Sequence, residues 1–142
     1  MKISELVRGN RGVVTIARDA SVSELLALLA EHHIGAVVVS DDGSRVDGIV
    51  SERDVVRHLH RAGADILTGP VAAIMTTQVR TVGPDGDLDE LESMMTEHRI
   101  RHIPVVVDGQ LHAIASIGDV VKSRINNLQA ERDQLEAYIH QQ

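Results

Sequence analysis

The sequence predicts an α+β fold: two β-α-β-β-α repeats sharing one core, with the last helix prolonged beyond the second repeat. Three observations carry this. The chain repeats itself. With a shift of 66, Thr15 falls on Thr81, Asp19 on Asp85, Glu24 on Glu90, Leu25 on Leu91, His32 on His98, Ile34 on Ile100 and Asp42-Gly43 on Asp108-Gly109. One residue then drops out, and with a shift of 65 Ile49 falls on Ile114, Ser51 on Ser116, Asp54 on Asp119 and Val56 on Val121. In both copies Asp-Gly separates two β-branched runs, a strong hairpin signal. In both copies a cap-forming residue with Glu three positions on opens an apolar helical stripe: Ser21 with Glu24, Asp87 with Glu90.

Taken in order, residues 3–7 read as a helical turn and 13–16 as a short strand. Arg18-Asp19-Ala20 turns the chain into a helix whose face is Val22, Leu25, Leu26, Leu28 and Leu29, closed by His32-His33. Residues 34–39 are a strand too apolar to have a wet face. A hairpin at 41–44 returns through 46–50 into a helix over 51–61. Residues 62–70 are a linker between a first repeat at 1–61 and a second at 71–125. Residues 71–75 echo 3–7, followed by a strand at 79–82, a Pro84-Asp85-Gly86 turn, a helix capped by Asp87, strands at 103–107 and 111–116, and a new helix at 116–119. That helix runs into an extension, 126–142. Along it Val121, Ile125, Leu128, Leu135 and Ile139 are spaced 4, 3, 7 and 4, a heptad-like stripe with a gap at Arg132. Such a stripe packs back on its own domain or meets another chain.

A unit of ~60 residues buries only about 60% of its unfolded surface, so the repeats are expected to rely on each other. The single aromatic residue is Tyr138, so the core is aliphatic. Without cysteine there are no disulfides, thiolate chemistry or Cys-ligated metals, which suits a reducing cytoplasm. No apolar run approaches the ~18 residues of a membrane span. A net charge of −7 and the lack of stacking aromatics near the repeats disfavour nucleic acid as partner.

Chemistry concentrates where strand passes into helix, at Ser51-Glu52-Arg53-Asp54 and Ser116-Ile117-Gly118-Asp119. Ser-x-x-Asp there can be a helix cap. It can also bind sugar: a carboxylate accepts from two neighbouring hydroxyls, and N–H groups at a helix start favour a phosphate. The two uses are compatible. His98 and His102 have a metal-ligand spacing for one helix, but Pro104 and the strand after it argue against their sharing one. No nucleophile–base pair, glycine-rich phosphate loop or metal cluster is evident, so no enzymatic activity is expected.

Two copies of strand–helix–strand–strand–helix, each ending in Ser-x-x-Asp, with His98-Arg99-Ile100-Arg101-His102-Ile103-Pro104 in the second, resemble a cystathionine-β-synthase (CBS) domain pair, or Bateman module, of the stand-alone bacterial kind. The resemblance implies repeats packed through their sheets about a pseudo-twofold axis, leaving two clefts for adenosine compounds: AMP, ADP, ATP, sometimes NAD(H) or S-adenosylmethionine. It implies ribose at Asp54 and Asp119 beside Ser51 and Ser116. It implies the base against Gly35, Ala36 and Val37 in one copy and His102, Ile103 and Pro104 in the other, and pocket closure near Thr15, Val79 and Thr81. Arg101 and His102 in repeat 2 replace Gly35 and Ala36, while repeat 1 carries Arg53 where repeat 2 has Gly118. Two unequal sites are therefore expected, with Asp119's the one to fill; which middle strand walls which Asp stays open. The implied function is a cytoplasmic regulatory, signal-transducing module, commonly a homodimer, acting on a protein target. The alternative is a structural dimerisation scaffold with empty pockets.

Overall fold

The computed structural model describes residues 1–10 and 12–141. A short helix, α1 (Ile3–Leu6), precedes a three-stranded sheet of β1 (Thr15–Ile16), β2 (Ala36–Val39) and β3 (Gly48–Ser51). β1 runs parallel to β2, and β2 antiparallel to β3. Helix α2 (Val22–His32) makes the crossover from β1 to β2, and α3 (Glu52–Ala62) follows β3. Every residue of β2 is buried, which is why it reads as an unbroken apolar run. In the second repeat α4 (Leu88–His98) leads to the hairpin β4 (His102–Val107) and β5 (Gln110–Ser116), and α5 (Ile117–His140) ends the fold.

The predicted local signals form their bonds. Ser21 Oγ accepts from the Glu24 N–H at 3.1 Å while Glu24 Oε2 accepts from the Ser21 N–H at 3.2 Å. Asp87 Oδ1 accepts from the Glu90 N–H at 2.9 Å. α2 and α4 both end on a left-handed residue, His33 at φ 52° and Arg99 at φ 54°, which are 66 positions apart like the rest of the repeat. Asp108 (φ 52°) and Gly109 (φ 77°) form the two-residue turn that joins β4 to β5, where both centres need positive φ. The longer first hairpin is organised by Asp42, whose Oδ1 accepts from Ser44 N, Arg45 N and Ser40 Oγ. Those bonds hold its carboxyl at about 2, the Arg45 and Ser44 amides first.

Two expectations are corrected. The strand predicted over 79–82 is reduced to one parallel bridge, Val82 to Val105. The chain before it is already held elsewhere: Thr76 pairs with Ile49 of β3 through both backbone bonds, at 3.0 and 2.9 Å. The single core resolves into two clusters of buried residues, one in each repeat.

What ties the clusters together is an exchange of leading segments. Ile3 and Val7 are buried with Leu88, Leu91, Met95 and Ile103 of the second repeat. Val71 and Ile74, their sequence echoes, are buried with Val22, Leu25, Leu29 and Val37 of the first. Backbone bonds fix both docks: Ile3 N to Gly86 O at 2.8 Å and Leu88 N to Met1 O at 3.0 Å, against Val71 N to Ala20 O at 2.8 Å and Val22 N to Gly69 O at 3.0 Å. Neither repeat completes its core from its own stretch of sequence.

α5 leaves the body after Val120 and Ser123, both buried. Arg124 pins it to α4 through Glu92 and Asp89. Residues 125–140 are all exposed, so the stripe does not pack back on its own domain. No described helix is long and apolar enough to cross a membrane.

Candidate functional site

Ser51 and Ser116 end their strands in extended backbone and cap α3 and α5. Each cap is reciprocal. Asp54 Oδ2 accepts from the Ser51 N–H at 2.8 Å and from its hydroxyl at 3.1 Å, while the Asp54 N–H points back to Ser51 Oγ at 3.4 Å. At the second copy Asp119 Oδ2 accepts from the Ser116 N–H at 3.1 Å, and the Asp119 N–H donates to Ser116 Oγ at 3.2 Å. Each aspartate therefore spends one oxygen on its own helix. The other, Oδ1, has no hydrogen-bond partner among the described residues. The helix start is less free than the sequence implied. The Glu52 N–H goes to Gly35 O at 2.9 Å and the Ile117 N–H to Arg101 O at 2.8 Å. With the third N–H taken by serine, an incoming anion would find mainly the N–H of Arg53 or Gly118.

A cleft of about 350 Å³ opens beside Asp54. Repeat 1 contributes Gly35 and Ala36 at the start of β2, Ile49 of β3, and Ser51, Glu52, Arg53, Asp54 and Arg57 at the start of α3. Repeat 2 contributes Thr76, Gln78, Val79 and Arg80 from the segment before the Val82 bridge, and residues 98–102 from the turn between α4 and β4. The two halves touch at the floor: a side chain placed on Gly35 would meet Glu52 Oε1 at 3.4 Å and His102 Cε1 at 3.5 Å.

The charge of this cleft is the reverse of the chain's. Arg53, Arg57, Arg80, Arg99 and Arg101 line it, against the carboxylates of Glu52 and Asp54. That is five of the 14 Lys and Arg in a chain of net charge −7. Such a concave positive patch attracts anions. Burial pushes the His102 imidazole below its usual range, with Arg101 adding to the effect and the Glu52 and Asp119 carboxylates partly offsetting it.

The CBS domain family pattern matches residues 3–61 and 71–126, the two repeats built above. This chain belongs to the CBS-domain family. Among solved structures it is similar to a CBS-domain containing protein from Agrobacterium tumefaciens, 42% identical, with a TM-score of 0.84 over 87% of this chain and 99% of that one. A CBS domain protein from Pyrobaculum aerophilum, complexed with AMP, is 30% identical with a TM-score of 0.75, over 84% and 89% of the two chains. A mitochondrial CBS domain-containing protein of Arabidopsis thaliana is 34% identical over 85% of this chain, which spans 61% of that protein's length.

Within the CBS pair the residues singled out from sequence separate into two groups. Ser51, Arg53, Asp54, Gly35, Ala36, Val79, Arg101 and His102 line this cleft. Val37, Ile103 and Pro104 do not: all three are fully buried side chains. Thr15 and Thr81 are also away from its walls, as are Ser116, Gly118 and Asp119. The pairing that the sequence left open is answered for this cleft: Arg101 and His102 line it together with Asp54, because β4 of the second CBS repeat enters beside β2 and α3 of the first, and His102 also feels the Asp119 carboxylate. His98 closes α4 and His102 opens β4, so they share no helix.

Arg57, Arg80 and Arg99 were missed. Arg57 had a readable signal, since it lies three and four residues beyond Asp54 and Arg53 on one helix face. Arg80 and Arg99 had none, for a loop position carries no periodicity.

Proposed function

We propose that the cleft beside Asp54 binds an adenosine nucleotide and that the protein is a regulatory module reading it. The observation that carries this is the meeting of one free carboxylate oxygen, on Asp54, with five arginines in one concave site. A carboxylate oxygen suits ribose hydroxyls and repels phosphates; clustered guanidiniums do the opposite. A ligand with a sugar at one end and phosphates at the other satisfies both. Gly35, Ala36, Ile49, Val79 and Ile100 offer backbone and aliphatic walls to a flat base. The AMP bound to the Pyrobaculum relative supports the same ligand class. Because the helix start offers few free N–H groups, the arginines take most of the phosphate charge, which favours di- and triphosphates, or the paired phosphates of NAD(H), over AMP.

Both CBS repeats line the cleft, so a bound ligand bridges them. It can shift their relative angle only as far as its affinity differs between the two arrangements. The Ser51 hydroxyl and the Asp54 oxygen that accepts from it are engaged in the α3 cap, and binding rather than catalysis is the reading. We take the working form to be a homodimer that passes the ligand state to a protein target.

The test is a thermal-shift series with AMP, ADP, ATP, NAD and NADH, with guanosine counterparts as controls. Ligand at 100 times its dissociation constant adds about 2.7 kcal/mol, several degrees for a chain of this size. Shifts with adenosine compounds, reduced in Asp54→Asn, support the reading. No shift at millimolar concentration, or equal shifts with guanosine compounds, would sink it.

A further inference from the structure

The prolonged part of α5 has no partner in its own chain. Residues 125–140 are all exposed, and Ile125 (50%), Leu128 (65%), Leu135 (63%) and Ile139 (65%) present most of their surface to solvent. A lone helical arm of this length is marginal in water without a covered face. The apolar positions follow a heptad. Ile125, Arg132 and Ile139 take the a positions, and Val121, Leu128 and Leu135 the d positions. The flanking e row is Lys122, Gln129 and Glu136; the g row is Arg124, Glu131 and Tyr138.

The charges distinguish the two ways a second copy could lie on this face. In a parallel pair Arg132 would face the partner's Arg132 across the seam, and Glu131 would meet the partner's Glu136 on both sides. Both contacts are between like charges. In an antiparallel pair with its axis at residue 130, every a position meets a d position. Val121 then packs on the partner's Ile139, Ile125 on the partner's Leu135, and the stem of Arg132 on the partner's Leu128. On the e rows Lys122 meets the partner's Glu136 twice, and the uncharged Gln129 lies on the axis beside the partner's Gln129. The one like pair is Glu131 with the partner's Glu131, flanked by both Arg132 side chains. Arg132 is free to serve there, since it reaches Asp133 and Glu136 of its own helix only at 3.9 Å.

We propose that α5 beyond Arg124 is the docking surface for a second copy of this chain, as an antiparallel two-stranded coiled coil centred at residue 130. The observations behind it are the uncovered heptad stripe, the e row whose Lys122 and Glu136 pair only when one helix is reversed, and the separation of the two Arg132 side chains that the reversal brings. It is independent of the nucleotide reading and goes beyond it: it assigns the extension outside the CBS pair to self-association and fixes its orientation.

The chain has no cysteine, so single cysteines report proximity cleanly. Two full-length variants, Ile125→Cys and Leu135→Cys, one with a short tag to tell them apart, are oxidised alone and mixed. The expected result is a disulfide between the two different chains and none in either alone. Equivalent 125 positions in the antiparallel pair lie about 15 Å apart along the axis. Cross-linking of each variant with itself would mean a parallel pair and overturn the proposal. No cross-link in any sample would mean that no second copy covers the stripe, which also overturns it. Neither side chain packs on the body of its own chain, so a retained cooperative melt confirms that the variants fold. Lys122→Glu added to both chains should lower the mixed cross-link yield several-fold, and Lys122→Glu with Glu136→Lys should restore it. A yield indifferent to the first change would overturn the register.

Discussion

Gly35, at the start of β2, lies against the imidazole of His102, at the start of β4: a Cβ on Gly35 would sit 3.5 Å from His102 Cε1. This contact joins the two repeats at the floor of the cleft. A methyl group meets neighbours there at ordinary contact distances, so Gly35→Ala should change stability by no more than about 0.5 kcal/mol. Gly35→Leu would fill the floor, and adenosine-nucleotide affinity measured by calorimetry should fall about tenfold or more, with the melting temperature little changed. Undiminished affinity in Gly35→Leu would place the ligand elsewhere.

On the proposed function Asp54 has two duties, a cap on Oδ2 and a ligand contact on Oδ1. Asp54→Ala removes both, and should cost roughly 1 kcal/mol of stability for the lost cap as well as ligand affinity. Asp54→Asn keeps an oxygen for the Ser51 N–H and puts an amide where the free oxygen stood. It should therefore retain more stability than Asp54→Ala while still losing affinity. Denaturant unfolding and calorimetry on the pair separate the two duties. Equal affinity in Asp54→Asn and the native chain would leave the aspartate a cap only.

His102 titrates below its usual value because burial disfavours the imidazolium. The unfolded chain therefore takes up this proton first as pH falls below about 6.5. The destabilisation is absent above that value, grows between it and the lower folded value, and then levels off. Between pH 7.5 and 5.5 the native chain should lose more melting temperature than His102→Gln. Phosphates in the cleft would favour the imidazolium, so nucleotide affinity should rise over the same interval in the native chain and not in the variant.

Gly48 shows where backbone crowding, not ligand, demands a glycine. A Cβ there would lie 2.8 Å from Met75 Sδ and 2.9 Å from the Thr76 carbonyl oxygen. Methionine sulfur can move, but the carbonyl belongs to the Thr76–Ile49 bridge that anchors the cleft wall. Gly48→Ala should cost about 1–3 kcal/mol in urea unfolding. It should also weaken nucleotide binding through the displaced 76–80 segment. A neutral result would mean that the Thr76 backbone yields without loss of its bridge to Ile49.

Much of the fold was legible because it is local. The Ser21–Glu24 box, the Ser51 and Ser116 caps and the Asp108-Gly109 turn are each made by residues within a few positions, so their pattern is their structure. The strand expected at 79–82 failed for a non-local reason: its approach is held by β3 at Thr76. Three cleft arginines were likewise invisible in a loop or overlooked beside a motif already explained.

By itself the sequence determined the repeat, its hairpins and caps, the family resemblance and the heptad stripe of α5. Tertiary structure alone decided that Ile3 is buried with Leu88 and Val71 with Val22, and that Arg101 and His102 line the same cleft as Asp54. The physical reason is the repeat itself. Two copies present nearly the same apolar and polar pattern, so a leading segment or a strand start matches either half. Only chain closure and packing in three dimensions break that tie.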